Sequence, residues 1–144
     1  MPKASAGKRG IRRIGISTGG GDAPGLNAVI RAVVLAGHNH GWEVVGIRDG
    51  YNGLMFPEQY PENGGGIIHL TRSFVRGIGH LGGTVLGSTN RGDPTNFPVQ
   101  QPDGSWVNVD RTDELVGLFK AAGIDALITI GGDGSLTIGR RLSD

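Results

Sequence analysis

Cysteine is absent from these 144 residues, which excludes disulfides and thiolate metal sites within the chain. No apolar run approaches the roughly 20 residues needed to cross a bilayer. The N-terminus has no apolar segment of the kind that opens a secretory signal. Neither absence suggests export, and lack of cysteine fits the cytoplasm, where the reading places the protein. Aromatic residues are scarce, at 6%. The two tryptophans, Trp42 and Trp106, read as packing residues and not as base-stacking platforms. Histidines 38, 40, 69 and 80 show no metal-ligand spacing.

What is present is a foldable chain. Hydrophobic residues make up 37%, enough for a core of several strands and helices in one small domain. Net charge is +1, unevenly placed: residues 1–13 hold five of the fourteen basic residues and no acid, leaving nine basic against thirteen acidic residues. Residues 1–12 read as a solvated basic tail, with no nucleic acid or membrane partner assigned to it. Residues 13–144 read as the folded part.

Glycine is the outlier, at 28 residues. It has no fixed period, so collagen and low-complexity readings fail. It clusters at Gly19-Gly20-Gly21, Gly64-Gly65-Gly66, Gly82-Gly83 and Gly131-Gly132. Clusters beside apolar strands suggest tight turns and close backbone approach to a ligand.

Along the chain, Arg13 to Thr18 alternates as a strand. Leu26, Val29, Ile30, Val33 and Val34 repeat at helix spacing, predicting a helix over 26–37 with Pro24 suited to its start. Trp42 to Arg48 reads as a second strand and 49–66 as a loop. Residues 67–79 are ambiguous, with a short helix near 72–76. Thr84 to Leu86 reads as a brief strand, and 90–109 as a long structureless excursion. A helix over 110–122 stops at Gly123; a buried strand follows over 125–130, and a last helix begins at Leu136. This alternation predicts an α/β fold, a parallel Rossmann-like sheet with helices on both faces. A domain rarely ends one turn into a helix, so the chain is expected to be part of a larger domain.

Two strand–glycine–helix units carry the chemistry: I-S-T-G-G-G-D-A-P-G-L-N (residues 16–27) and I-T-I-G-G-D-G-S-L (residues 128–136). At the carboxyl end of a parallel strand, such a turn presents backbone N–H groups and a helix N-terminus to an anion. An aspartate inside a phosphate turn would repel the anion unless a divalent cation lies between them. Asp133 therefore reads as a Mg²⁺ ligand, and Ser135 as a phosphate donor or helix cap. Asp22 reads equally as an N-cap. Neither turn is a Walker A loop, since no G-K-[S/T] occurs, and neither gives G-x-G-x-x-G.

The stretches G-G-D-A-P-G-L-N-A-V-I-R (Gly20–Arg31), G-G-T-V-L-G-S (Gly82–Ser88) and I-G-G-D-G-S (Ile130–Ser135) stand in the order and spacing of the 6-phosphofructokinases, and the chain resembles that family over most of residues 13–142. The resemblance implies transfer of the γ-phosphoryl of ATP to fructose 6-phosphate, a step of glycolysis, by a homo-oligomer. It implies that Gly21, Gly132, Asp133, Gly134 and Ser135 hold the donor phosphates, with Mg²⁺ on Asp133. Tyr51, in D-G-Y, matches a tyrosine near the nucleotide; a loop aromatic packed on the core is the other reading. Arg91 lies one place beyond the family's arginine that bridges both substrates' phosphates, where it would stabilise charge on the transferring group. Gly134 leaves room for the α-phosphate and favours ATP, whereas S-T-N-R-G-D-P departs from the best-known ATP users, so pyrophosphate remains the alternative donor. Arg31 matches an effector-binding arginine whose usual partner is here Leu35. The family's catalytic aspartate, in a T-I-D motif, is not in these residues, so the chain alone is expected to lack kinase activity. NAD kinases and lipid kinases also use G-G-D-G but lack the opening signature; a non-catalytic nucleotide-binding module is the other reading.

Overall fold

The computed structural model describes residues 10–19, 25–61, 65–87, 94 and 97–131. Strand β1 (Arg13–Thr18) leads to helix α1 (Leu26–Asn39) and strand β2 (Glu43–Ile47). Helix α2 (Asn52–Met55), a 3-10 turn (Pro57–Gln59), strand β3 (Ile67–His69) and helix α3 (Arg72–Val75) follow. Strands β4 (Phe97–Gln100) and β5 (Trp106–Val109) precede helix α4 (Thr112–Ala121) and strand β6 (Ala126–Ile130).

The main sheet has the order β3-β2-β1-β6. β1 pairs in parallel with both β2 and β6. β3 runs antiparallel to β2, so the sheet is mixed where an all-parallel one was expected. The alternation of side chains across a strand sorts the core into two faces. Ile14, Ile16 and Val44 meet Ile30 and Val34 of α1, with Val75 and Leu86, on one face. Val45 and Ile47 meet Leu54, Met55, Leu115 and Phe119, from α2 and α4, on the other. Helices therefore cover both faces, as the α/β reading requires. Ile16, Ile30 and Ile47 are fully buried, each contributing about 1.5–3 kcal/mol by transfer from water.

Several local readings are corrected. The N-cap of α1 is Gly25, at φ 91°, with no side-chain cap, so the capping role read for Asp22 falls to glycine; Asp22 itself lies outside the described residues. The 49–66 loop contains α2 and the 3-10 turn, because Leu54 and Met55 are drawn onto the core. Thr84–Leu86 is a turn, not a strand: Leu86 is buried across Gly46, which has no side chain to fill that space. The excursion over 90–109 holds the β4–β5 hairpin. β6 is half-buried along its length, not buried. Trp42 packs against the core as expected, but Trp106 is 65% exposed. The helix read from Leu136 lies outside the described residues.

Candidate functional site

The carboxyl ends of three neighbouring strands form one edge of the sheet. Thr18 of β1 stands in register with Ile130 of β6, and the Gly19 N–H donates to the Ile130 carbonyl at 2.9 Å. The two glycine turns, far apart in sequence, therefore leave from adjacent points. That is where ligands bind in open α/β sheets, outside the carboxyl ends of the strands. Of the residues read as site residues, the fold brings together the points from which Gly21 and Gly132 depart. Gly21, Arg91, Gly132, Asp133, Gly134 and Ser135 themselves lie outside the described residues.

Tyr51 follows β2, the third strand end. Its ring is buried and meets Phe119 edge-on, with centroids 6.0 Å apart, so it does pack on the core. Its hydroxyl is directed elsewhere. Tyr51 Oη is buried without a hydrogen-bond partner among the described residues. Burial pushes its pKa up, opposed by the Thr129 and Ser17 hydroxyls of β6 and β1, though neither completes a bond. The hydroxyl thus lies beside the carboxyl-terminal parts of β1 and β6 with an unused donor.

The turn carrying Tyr51 is strained. Asp49 has φ 50°, a conformation uncommon outside glycine. It is held by three contacts: its N–H donates to the Leu86 carbonyl at 2.8 Å, its Oδ2 accepts from the Tyr60 hydroxyl at 2.7 Å, and its Oδ1 lies against Gly87, where a Cβ would collide. Gly87, at φ 75°, takes a backbone conformation that favours glycine, and an added Cβ would have to displace the Asp49 carboxylate. Burial, then the bond to Asp49 and its charge, push the Tyr60 pKa up to about 12.

The G-G-T-V-L-G segment is fixed by groups from elsewhere. Buried Thr18 Oγ1 contacts Thr84 Oγ1 and the Gly87 carbonyl, both at 2.9 Å. Buried Asn27 donates to the Leu81 carbonyl at 3.1 Å and accepts from the Val85 N–H at 2.7 Å. Ser17 donates to the Gly50 carbonyl at 3.1 Å. Sequence reasoning assigned none of these polar residues; the signal was a hydroxyl pair at the end of an otherwise apolar strand.

Arg31 lies exposed on α1. Among the histidines, His38 reaches the Leu70 carbonyl, His40 stacks on Trp42 and His69 faces Glu43. Among the described residues no group of three or more His, Asp or Glu is placed to hold a metal, and no helix is long and apolar enough to cross a membrane.

Comparison with known proteins follows the same lines. The Phosphofructokinase family model matches residues 13–144. The chain is 50% identical over 133 residues to ATP-dependent 6-phosphofructokinase 1 of Nostoc sp., covering 92% of this chain and 34% of that protein. It is 43% identical over 133 residues to a pyrophosphate–fructose 6-phosphate 1-phosphotransferase of Streptomyces coelicolor, covering 92% of this chain and 33% of that one. The crystal structure of Pichia pastoris phosphofructokinase in the T-state superposes with a TM-score of 0.70 at 32% identity, over 94% of this chain and 12% of that one. The chain spans about a third of the length of the curated relatives it matches. With the fold, the paired turns and these likenesses in agreement, the chain belongs to the phosphofructokinase family.

Proposed function

We propose that the complete protein transfers a phosphoryl group from ATP to fructose 6-phosphate, giving fructose 1,6-bisphosphate, and that these residues form its donor-binding part. The observation that carries this reading is the departure of two glycine turns from the adjacent ends of β1 and β6. Phosphoryl transfer asks little covalent work of a protein; it asks for position and for relief of negative charge. Backbone N–H groups around Gly21 and over 132–135 would cradle the donor phosphates, and Arg91 would face the transferring group. The unpaired Tyr51 hydroxyl supports a nucleotide at this edge.

Asp133 is the residue that would hold Mg²⁺. The fit is one of chemistry: a lone carboxylate within a phosphate turn suits a cation that completes its shell with phosphate oxygens and water. When bound, Mg²⁺ would neutralise charge on the donor phosphates. Gly134 favours ATP, since it leaves the α-phosphate unobstructed. The Streptomyces coelicolor relative supports pyrophosphate as the second reading. The acceptor site and catalytic base are assigned to the part of the relatives' length that this chain does not span. A cytoplasmic homo-oligomer, with residues 1–12 as a solvated tail, completes the proposal.

The test is bisphosphate formation by the complete gene product, with fructose 6-phosphate and either Mg-ATP or Mg-pyrophosphate. Turnover with ATP is expected, and none from the 144 residues alone. Turnover with pyrophosphate only would reassign the donor. No product with either would overturn the assignment.

A further inference from the structure

Residues 20–24 of the first glycine-rich stretch lie outside the described residues, and both of the described flanks, at Thr18 and Asn27, are tied to one other segment. On the entering side, the hydroxyl chain has a single consistent direction. The Leu86 N–H donates to Thr84 Oγ1 at 3.2 Å, the Thr84 hydroxyl donates to Thr18 Oγ1, and the Thr18 hydroxyl donates to the Gly87 carbonyl. On the leaving side, the Asn27 amide uses both ends, on Leu81 and Val85. Thr18 and Asn27 are almost wholly buried. Valine and leucine would fill the same space, but would leave the Gly87 and Leu81 carbonyls and the Val85 N–H without these partners. What the polar groups add is a fixed distance between the two flanks of the turn, measured against a common segment.

We infer that Thr18 and Asn27 are positioning residues, a two-point clamp that sets the span of the donor-phosphate turn against residues 81–87. The inference rests on the donor-site reading above. A turn that binds phosphate through backbone N–H groups works only if those groups converge, and a displacement near 1 Å costs rate or affinity steeply. The clamp supplies that constraint from side chains that never touch the donor.

Steady-state kinetics of the complete protein test it. Thr18→Val keeps the shape and deletes the hydroxyl; Thr18→Ser keeps the hydroxyl. Thr18→Val is expected to raise the donor KM about tenfold or more while the fructose 6-phosphate KM moves less than about twofold, with Thr18→Ser within about threefold of wild type. Thr84→Ala, at a half-buried position, breaks the same chain from its other end and is expected to follow Thr18→Val, which keeps the test decisive if Thr18→Val does not fold. Asn27→Ala should shift the same constant from the opposite flank. If wild type is active and the valine and serine variants have matching kinetics, or if both KM values rise together, the clamp is overturned while the functional reading stands. A wild-type protein inactive with both donors overturns the two together.

Discussion

Two segments without helix face each other in character: residues 81–87, and the hairpin over 97–109. The first has no repeating backbone pattern, yet it is held by Thr18, Asn27 and Asp49 and buries Leu86. The second has regular antiparallel pairing, yet β5 is exposed at every position. Regular backbone and structural constraint are therefore different properties here. The hairpin satisfies its hydrogen bonds internally and meets the core mainly through Phe97, which contacts Phe56 and lies beneath the Arg111 guanidinium at 4.7 Å. The irregular segment satisfies only some of its backbone groups itself, so it borrows partners from β1, α1 and the turn at Asp49.

The largest test of that contrast is a pair of truncations. Leu86→Ala removes a buried side chain lying across Gly46 and is expected to cost about 2–5 kcal/mol in urea unfolding. Val107→Ala, in β5 and 44% exposed, should stay within about 0.5 kcal/mol. Similar costs for the two would erase the distinction.

The same contrast explains what the sequence revealed. β1, α1 and α4 were legible because their apolar spacing follows the period of the element, and β2 and β6 because they are short apolar runs between turn residues. Thr84–Leu86 was misread as a strand because Leu86 is apolar for a reason with no periodicity: it fills the space above Gly46. The hairpin was misread as structureless although Pro102-Asp103-Gly104, between two runs with strand character, is a turn signal. In the fold Gly104 has φ 88° and Asp103 accepts from the Ser105 N–H at 2.9 Å. For the site, the glycine clusters were legible because they stand directly after apolar strands. The adjacency of the strand ends they leave from was not, because it depends on β6 pairing with β1 across more than a hundred residues. Thr18 and Asn27 went unassigned for a related reason: apart from the Thr84 hydroxyl, their partners are backbone atoms, which leave no mark in sequence.

A middle-sized effect concerns the strained turn beside the irregular segment. Tyr60→Phe deletes the bond to Asp49 and is expected to cost about 0.5–1.5 kcal/mol near neutral pH. The sign of its pH dependence follows from linkage. The Tyr60 pKa rises from 10.0 to about 12 on folding, so the neutral phenol is the form the fold favours. Its contribution is complete below about pH 10 and is lost as pH rises toward 12. The gap between wild type and Tyr60→Phe should close over that window. A gap constant from pH 9 to 12 would show that the bond to Asp49 is not made.

The smallest expected effect is the sharpest on the hairpin. Trp106, opposite Gln100, is 65% exposed, whereas Trp42 packs against the core and stacks on His40 at 4.7 Å. The chain has two tryptophans, so substituting one isolates the emission of the other. In these 144 residues, Trp106→Phe should remove the red-shifted, water-exposed component and leave the blue-shifted emission of Trp42. Trp106→Ala should change stability by less than about 0.5 kcal/mol. A blue-shifted loss together with a cost above about 1 kcal/mol would mean that the indole is covered. The hairpin would then be held from outside itself, like residues 81–87, and the difference between the two segments would disappear.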